Sequence, residues 1–322
     1  MIRKAALDTI ILMDEMIRPF DDSGSSFRMW PDLAQYGRLL SLGPSGESLF
    51  FYDSGGSGGT PLICIHGLGD EADSWRHLFP LIAGTRRVIA LDLPGFGRSV
   101  PARGSSLRLH AQAVLTLLEM TGPAVLAGSS MGAAAAELAA FRKGGLVKGL
   151  VLLDGCLPVS GGISPGLLFM ALPFLGKKWY RAFRKDGEGA YRSLEPYYAD
   201  MAALSPRDRQ FLRERVMARV SSPSQERAYF SSLRSFIWNG AGKKSFYSRG
   251  AASYTGKMLL IWGEKDGVIP VSATDRLRSL KPAAGFAVIG GAGHLPHQER
   301  PEVAADALLP FLESLDREAG QR

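Results

Sequence analysis

The chain has 322 residues, of which 46% are hydrophobic and 21% charged. That composition excludes a disordered or collagen-like chain and gives a core that needs neither disulfides nor a structural metal. The net charge of +7 is local, because residues 157–253 hold 16 Lys or Arg against 7 Asp or Glu while the rest of the chain holds 22 against 24; no nucleic-acid-binding module accompanies this charge, so no nucleic-acid partner is expected.

Taken in chain order, the first 20 residues read as an amphipathic helix with Ile10, Met13 and Ile17 on one stripe. Asp8, Asp14 and Glu15 interrupt the apolar stretch and no small-residue cleavage site follows, which argues against a signal peptide. Residues 1–35 are therefore expected to be a helix and linker that dock on the main body, with a homodimer contact or a membrane surface as the alternatives. No uncharged apolar run approaches the roughly 20 residues of a membrane span, so integral membrane association is not expected. The two cysteines, Cys64 and Cys156, lie in or at the end of apolar runs and form no recognisable disulfide or zinc framework. Buried free thiols and a cytoplasmic location follow as expectations.

Two weak runs, Gly37–Leu42 and Leu49–Asp53, look like a leading antiparallel pair. Six stronger ones follow: PLICIHG (61–67), RVIALDLPG (87–95), AVLAGSS (124–130), VKGLVLLDG (147–155), KMLLIWGEKD (257–266) and FAVIGGAGH (286–294). Each is short, continuously apolar and ended by glycine or polar residues, as strands buried on both faces of a parallel sheet are. Helical stretches such as MGAAAAELAAFRKG separate them, which predicts repeated βα units in residues 36–156 and 254–322. Residues 157–253 contain no such strand run but hold 15 of the chain's 30 aromatic residues, and they read as a helical insertion. GGSGG at 55–59 lacks the Gly-Lys-Ser/Thr ending of a phosphate loop and reads as a turn.

The chemistry centres on Gly128-Ser129-Ser130-Met131-Gly132, a G-x-S-x-G motif between an apolar run and an Ala-rich helix. A turn this sharp needs small residues on either side of the serine, and it lifts the Ser130 hydroxyl above the sheet at a helix N-terminus. A hydroxyl is a weak nucleophile until a base takes its proton and a carboxylate orients that base. Only five histidines are present, and His294 alone closes a strand run after the serine. His66 and His110 precede the serine, His77 falls on a surface helix, and His297 comes three residues late. For the acid, Asp266 at the end of the penultimate run is preferred to Asp154, which ends the run before the insertion. Two donors are needed for an oxyanion; the Met131 and Leu68 amides are expected to supply them, with Gly67 and Ser129 beside the substrate and His66 holding the loop. His294 and His297 form no larger ligand cluster, so neither a metal nor a cofactor is expected.

The stretches HGLGDEADSWRHLFPLIA, DLPGFGRS, GSSMGA, GEKDGVIP and GAGHLPHQERP together resemble the α/β-hydrolase superfamily. The resemblance runs from about residue 36 to the C-terminus and implies a mostly parallel eight-stranded sheet flanked by helices. It also implies that residues 157–253 form a cap inserted after the sixth strand, with the active site beneath it. Within the superfamily the chain is similar to bacterial carboxylesterases and to carbon–carbon bond hydrolases acting on ring-cleavage products. Ser129 and Ala133 stand where relatives often carry His or Asn and Gly, and the first 35 residues have no counterpart. A serine rather than an aspartate at position 130 argues against haloalkane dehalogenase and epoxide hydrolase chemistry. The activity this implies is hydrolysis of a small or medium apolar ester through an acyl-enzyme. The alternatives are carbon–carbon hydrolysis with the same groups, or a ligand sensor that keeps the triad but turns over slowly.

Overall fold

The computed structural model describes residues 16–101, 104–158, 160 and 165–320. Nine strands form one sheet: β1 (Ile17–Pro19), β2 (Gly37–Ser41), β3 (Ser48–Asp53), β4 (Leu62–Ile65), β5 (Val88–Leu91), β6 (Ala124–Ser129), β7 (Val147–Leu153), β8 (Lys257–Gly263) and β9 (Gly285–Ile289). Their order is β1-β2-β3-β5-β4-β6-β7-β8-β9. The first three run antiparallel to their neighbours, and the six from β5 to β9 are parallel. Every residue of β4, β5 and β6 is buried, which is why those runs are apolar without alternation. Alternation still decides which layer each side chain joins. Ile63, Ile65 and Leu126 pack into one apolar cluster, while Leu62, Cys64 and Val125 pack into the other on the opposite face.

The sheet has one strand more than the eight predicted, and it arises where a helix was expected. Ile17–Pro19 pairs with Leu40–Arg38 of β2, so the stripe containing Ile17 does not continue as a helix to residue 20. Pro19 has no N–H to donate and would break a helix interior, whereas an edge strand accommodates it. Residues 1–15, which include Ile10 and Met13, lie outside the described residues. At the other edge β9 is only partly covered, since the last strand has a neighbour on one side alone.

The helices of the first half are α1 (Leu78–Ala83), α2 (Leu107–Thr121) and α3 (Met131–Arg142). Ten of the twelve residues of α3 are buried, because its alanines let the helix lie close against the sheet. Between β7 and β8 come α4 (Pro165–Ala171), α5 (Leu175–Phe183), α6 (Gly187–Arg192), α7 (Pro206–Val220), α8 (Pro223–Gly242) and α9 (Lys244–Ser253). No strand occurs among the described residues of this segment. Both α7 and α8 open on Ser-Pro, and the Ser205 and Ser222 hydroxyls accept from the amides of Asp208 and Gln225. Each serine satisfies an orphan amide, while the following proline needs no partner at the first helical position. The chain closes with α10 (Asp275–Leu280), α11 (Pro296–Glu299) and α12 (Pro301–Gly320). No helix among the described residues is long and apolar enough to cross a membrane.

The inserted helices are tied to the sheet domain by buried charge. Arg76 pairs with Asp208 of α7 at 2.8 Å, and Arg219 meets Asp70 at 2.9 Å and Glu71 at 3.1 Å. Arg215 donates to the carbonyls of Arg28 and Ser26 at 2.7 and 2.6 Å. Burial alone would raise the Glu71 carboxyl, but Arg219, Arg215 and Arg98 outweigh it and hold it down at about 2. Burial also keeps His110 and His297 neutral, lowering each to about 3. The sign is the same for all three groups. The unfolded chain binds more protons, so stability is full above pH 6.5 and is lost as pH falls from 6.5 to 3 for the histidines, and toward 2 for Glu71. Each pKa unit corresponds to about 1.4 kcal/mol, so several kcal/mol are at stake across this window. The raised carboxyls of Asp154 and Glu137 act in the opposite sense over the same range, so the histidine is read from a difference between two proteins. Between neutral pH and pH 4 the thermal melts of His297→Gln are expected to lose less Tm than those of the wild type, and an equal pH slope would contradict this account.

Candidate active site

The parallel strands order themselves outward from β4: the chain moves to β5 on one side and then returns to β6 on the other. The loops that leave β4 and β6 therefore splay apart at the carboxyl ends of adjacent strands, where such sheets leave a crevice. Ser130 stands there, between β6 and α3, with φ 53° and ψ −119°. A non-glycine residue is strained in that region. The strain is held by tight packing on three sides. A side chain at Gly128 would lie 2.4 Å from the Gly132 carbonyl oxygen, one at Gly132 would lie 2.3 Å from that of Ile65, and one at Gly155 would lie 2.5 Å from Ser130 Cα. The Ser130 amide donates to the Leu153 carbonyl at 2.8 Å, which fixes the turn to the end of β7.

Three side chains from separate loops form a row beside this turn. The Ser130 hydroxyl is 3.0 Å from Nε2 of His294, and Nδ1 of His294 is 2.8 Å from Oδ2 of Asp266. The other oxygen of Asp266 accepts from the amides of Val268 and Ile269 at 2.8 and 2.9 Å. An ionised carboxylate only accepts, so Nδ1 carries the imidazole proton and Nε2 presents its lone pair to the hydroxyl. The backbone of His294 is anchored as well, its amide donating to the Tyr197 carbonyl at 2.9 Å. Gly263 makes room for the histidine loop, because a Cβ there would lie 1.8 Å from the Gly293 carbonyl oxygen.

Asp154 ends β7 beneath this row with φ 48°. One of its oxygens accepts from the Gly263 amide at 2.8 Å, and the other has no hydrogen-bond partner among the described residues. Burial first, and then the charge of Asp266, push its carboxyl well above the usual range. Burial and the neighbouring carboxylate thus disfavour a negative charge on Asp154, which packs under the pair. Asp154, Asp266 and His294 bring donor atoms within 4.8 Å of one another, and the hydrogen bond between His294 and Asp266 uses the two that face each other.

Gly67, Leu68, Ser130, Met131 and His294 line one side of a cavity of about 1120 Å³, which includes its open mouth. Leu68 and Met131 both line it, and no hydrogen bond from the amide of either occurs among the described residues. His66 accepts from the Leu93 amide at 2.9 Å and donates through Nδ1 to the Gly67 carbonyl at 2.7 Å, which shapes this loop. Ser129 departs from expectation. It is fully buried on β6 and does not line the cavity, and its hydroxyl has no partner among the described residues. Successive side chains of a strand turn to opposite faces, so a residue next to Ser130 is directed away from it.

The opposite wall comes from the inserted helices and their loops, with Tyr180, Arg184, Tyr197 and Tyr229 among its residues. None of these was legible in the sequence, since aromatic residues in a helical segment pack for many reasons. Glu299 was also missed. Its two oxygens accept from the amides of Gly293 and Ala199 at 2.7 Å each, stitching the histidine loop to the inserted segment. Arg219 on this wall is paired with Asp70 and Glu71. Arg184 instead lies 3.9 Å from the centre of the Tyr180 ring and has no carboxylate partner among the described residues.

Residues 62–307 match a family model described as "Alpha/beta hydrolase family". The chain is 28% identical over 273 residues to a 2-hydroxy-6-oxononadienedioate/2-hydroxy-6-oxononatrienedioate hydrolase of Pseudomonas putida, covering 81% of this chain and 91% of that one. It is 26% identical over 265 residues to a pimeloyl-[acyl-carrier protein] methyl ester esterase of Edwardsiella ictaluri, covering 82% and 97%. Among solved structures, a lipase described as putative from Acinetobacter baumannii superposes with a TM-score of 0.74 at 20% identity, covering 88% of this chain and 92% of that one. That likeness speaks to the fold.

Proposed function

The chain belongs to the alpha/beta hydrolase family, and from that premise we propose that it is a serine hydrolase that cleaves a carboxylic ester of a small or medium apolar substrate. The observation that carries the reading is the row from Asp266 through His294 to Ser130, with contacts of 2.8 and 3.0 Å. Ser130 Oγ attacks the ester carbonyl while Nε2 of His294 takes its proton. Asp266 steadies the imidazolium, and the developing oxyanion lies against the Leu68 and Met131 amides. The imidazolium then protonates the departing alcohol. Water, deprotonated by the same histidine, attacks the acyl-enzyme and releases the acid. Residues 157–253 serve as the cap, and their tyrosines give the substrate an apolar roof.

A second reading is carbon–carbon hydrolysis of a ring-cleavage product with the same groups. Arg184 favours it, since it places an unpaired guanidinium on the cavity wall, where a substrate carboxylate would meet it. A hydrolase of this kind from Pseudomonas putida is among the similar proteins. Turnover of p-nitrophenyl acetate, butyrate and longer esters, alongside a 2-hydroxy-6-oxo dienoate, separates the two. Sustained turnover of the butyrate with a slow dienoate reaction is expected. Rapid dienoate cleavage with poor ester turnover would favour the second reading. A single slow turnover of every ester, with the dienoate left uncleaved, would overturn both and point to a ligand sensor.

A further inference from the structure

Helices α4 and α5 form a hairpin on the outside of the inserted segment and leave apolar side chains in water. Leu168, Phe169, Leu172, Phe174, Leu175 and Trp179 are 46, 40, 44, 86, 54 and 47% exposed. Phe174, at the turn between the helices, projects furthest and is held there with φ 63°. From Pro165 to Lys185 the sequence contains five cations, Lys177, Lys178, Arg181, Arg184 and Lys185, and no acidic residue. Glu226 of α8 answers part of that charge, binding Arg181 at 2.7 and 2.8 Å and lying 3.9 Å from Lys177. Lys178 and Lys185 are exposed and have no carboxylate within ion-pair distance among the described residues.

We infer that this hairpin docks on an anionic lipid surface, with Phe174 and Leu175 among the acyl chains, Trp179 at the headgroup level, and Lys178 and Lys185 on the headgroups. Three features favour lipid over protein. An apolar tip ringed by cations is the pattern of interfacial helices. A single side chain exposed as fully as Phe174 suits a deformable bilayer. A two-fold contact with a second copy would bring the unpaired Lys178 and Lys185 of each copy together, at a Coulombic cost. The hairpin's other face lines the cavity through Leu167, Tyr180 and Arg184. Docking would therefore bring a bilayer-dissolved ester to the same cavity, and that last step alone rests on the reading of the protein as an esterase.

The test is co-sedimentation of the full chain with vesicles of phosphatidylcholine alone and of phosphatidylcholine mixed with phosphatidylglycerol. Pelleting is expected with the mixed vesicles, weakening as salt rises. Lys178→Gln and Lys185→Gln should each lower the partition coefficient about fivefold, and Phe174→Ser about tenfold or more. Turnover of soluble p-nitrophenyl acetate by these variants should stay within about twofold of wild type, which reports that they are folded; this control is read only if the wild type turns the ester over, and circular dichroism replaces it if not. The proposal would be overturned by no pelleting of the wild type with anionic vesicles, or by variants that pellet as well as it does. Lipid-free self-association that Phe174→Ser abolishes would overturn it too, assigning the patch to a second copy.

Discussion

Ser130→Ala is expected to lower kcat for p-nitrophenyl butyrate by about ten-thousandfold or more while leaving the melting temperature nearly unchanged. In the proposed mechanism the hydroxyl forms the acyl bond, so without it neither the histidine nor the oxyanion donors would have a covalent step to assist. Members of such a unit are far from additive, and removing His294 as well should cost little more. Stability should hold because Ser130 is only partly buried and its structural role is carried by its backbone, through the amide bonded to Leu153. A fluorophosphonate should label the wild type at one site and leave the variant unlabelled. Residual turnover above a few per cent of wild type, or labelling at another serine, would remove Ser130 from the nucleophile's place.

The second large effect separates two buried carboxyls. Asp266→Asn should reduce kcat by about ten-thousandfold, because an amide facing Nδ1 of His294 can turn its NH₂ toward the ring and favour the wrong tautomer. Asp154→Asn should cost less than about tenfold. The surroundings of Asp154 disfavour its charged form, and the carbonyl oxygen of an asparagine can accept from the Gly263 amide as Oδ1 does now. Measuring both variants with one ester under saturating conditions decides the matter. The opposite ranking would make Asp154 the acid and leave Asp266 as a loop anchor holding Val268 and Ile269. The consequence extends to the design of the site: a neutral carboxyl under the pair adds no second negative charge beside the imidazole, whereas an ionised one would.

The sequence was legible where the chemistry is local. Short apolar runs ended by glycine or polar residues marked every strand from β4 to β9, and G-x-S-x-G marked Ser130 because a turn so tight restricts its neighbours whatever surrounds it. His294 followed by elimination among five histidines. Choosing Asp266 over Asp154 was harder, since both end strands, and sequence position does not say which loop bends over the histidine. That depends on how β7, β8 and β9 stack side by side.

Other features were not local at all. Ile17–Pro19 became a strand because the edge of β2 offered unpaired backbone groups, a circumstance no helical stripe reveals. Ser129 was placed at the substrate by its proximity to Ser130, yet the alternation of β6 buries it. The tyrosines of the cavity wall, the unpaired Arg184 and the exposed rim of α4 and α5 all come from a segment whose composition suggested only a basic helical insertion. Composition cannot tell an inward face from an outward one when aromatic residues lie on both. What the residues determined by themselves was the sharp turn at Ser130 and the sheet that carries it, because backbone sterics and burial act over a few positions. Which carboxyl serves the histidine, what shape the cavity takes and which apolar side chains remain in water were decided only when distant segments packed together.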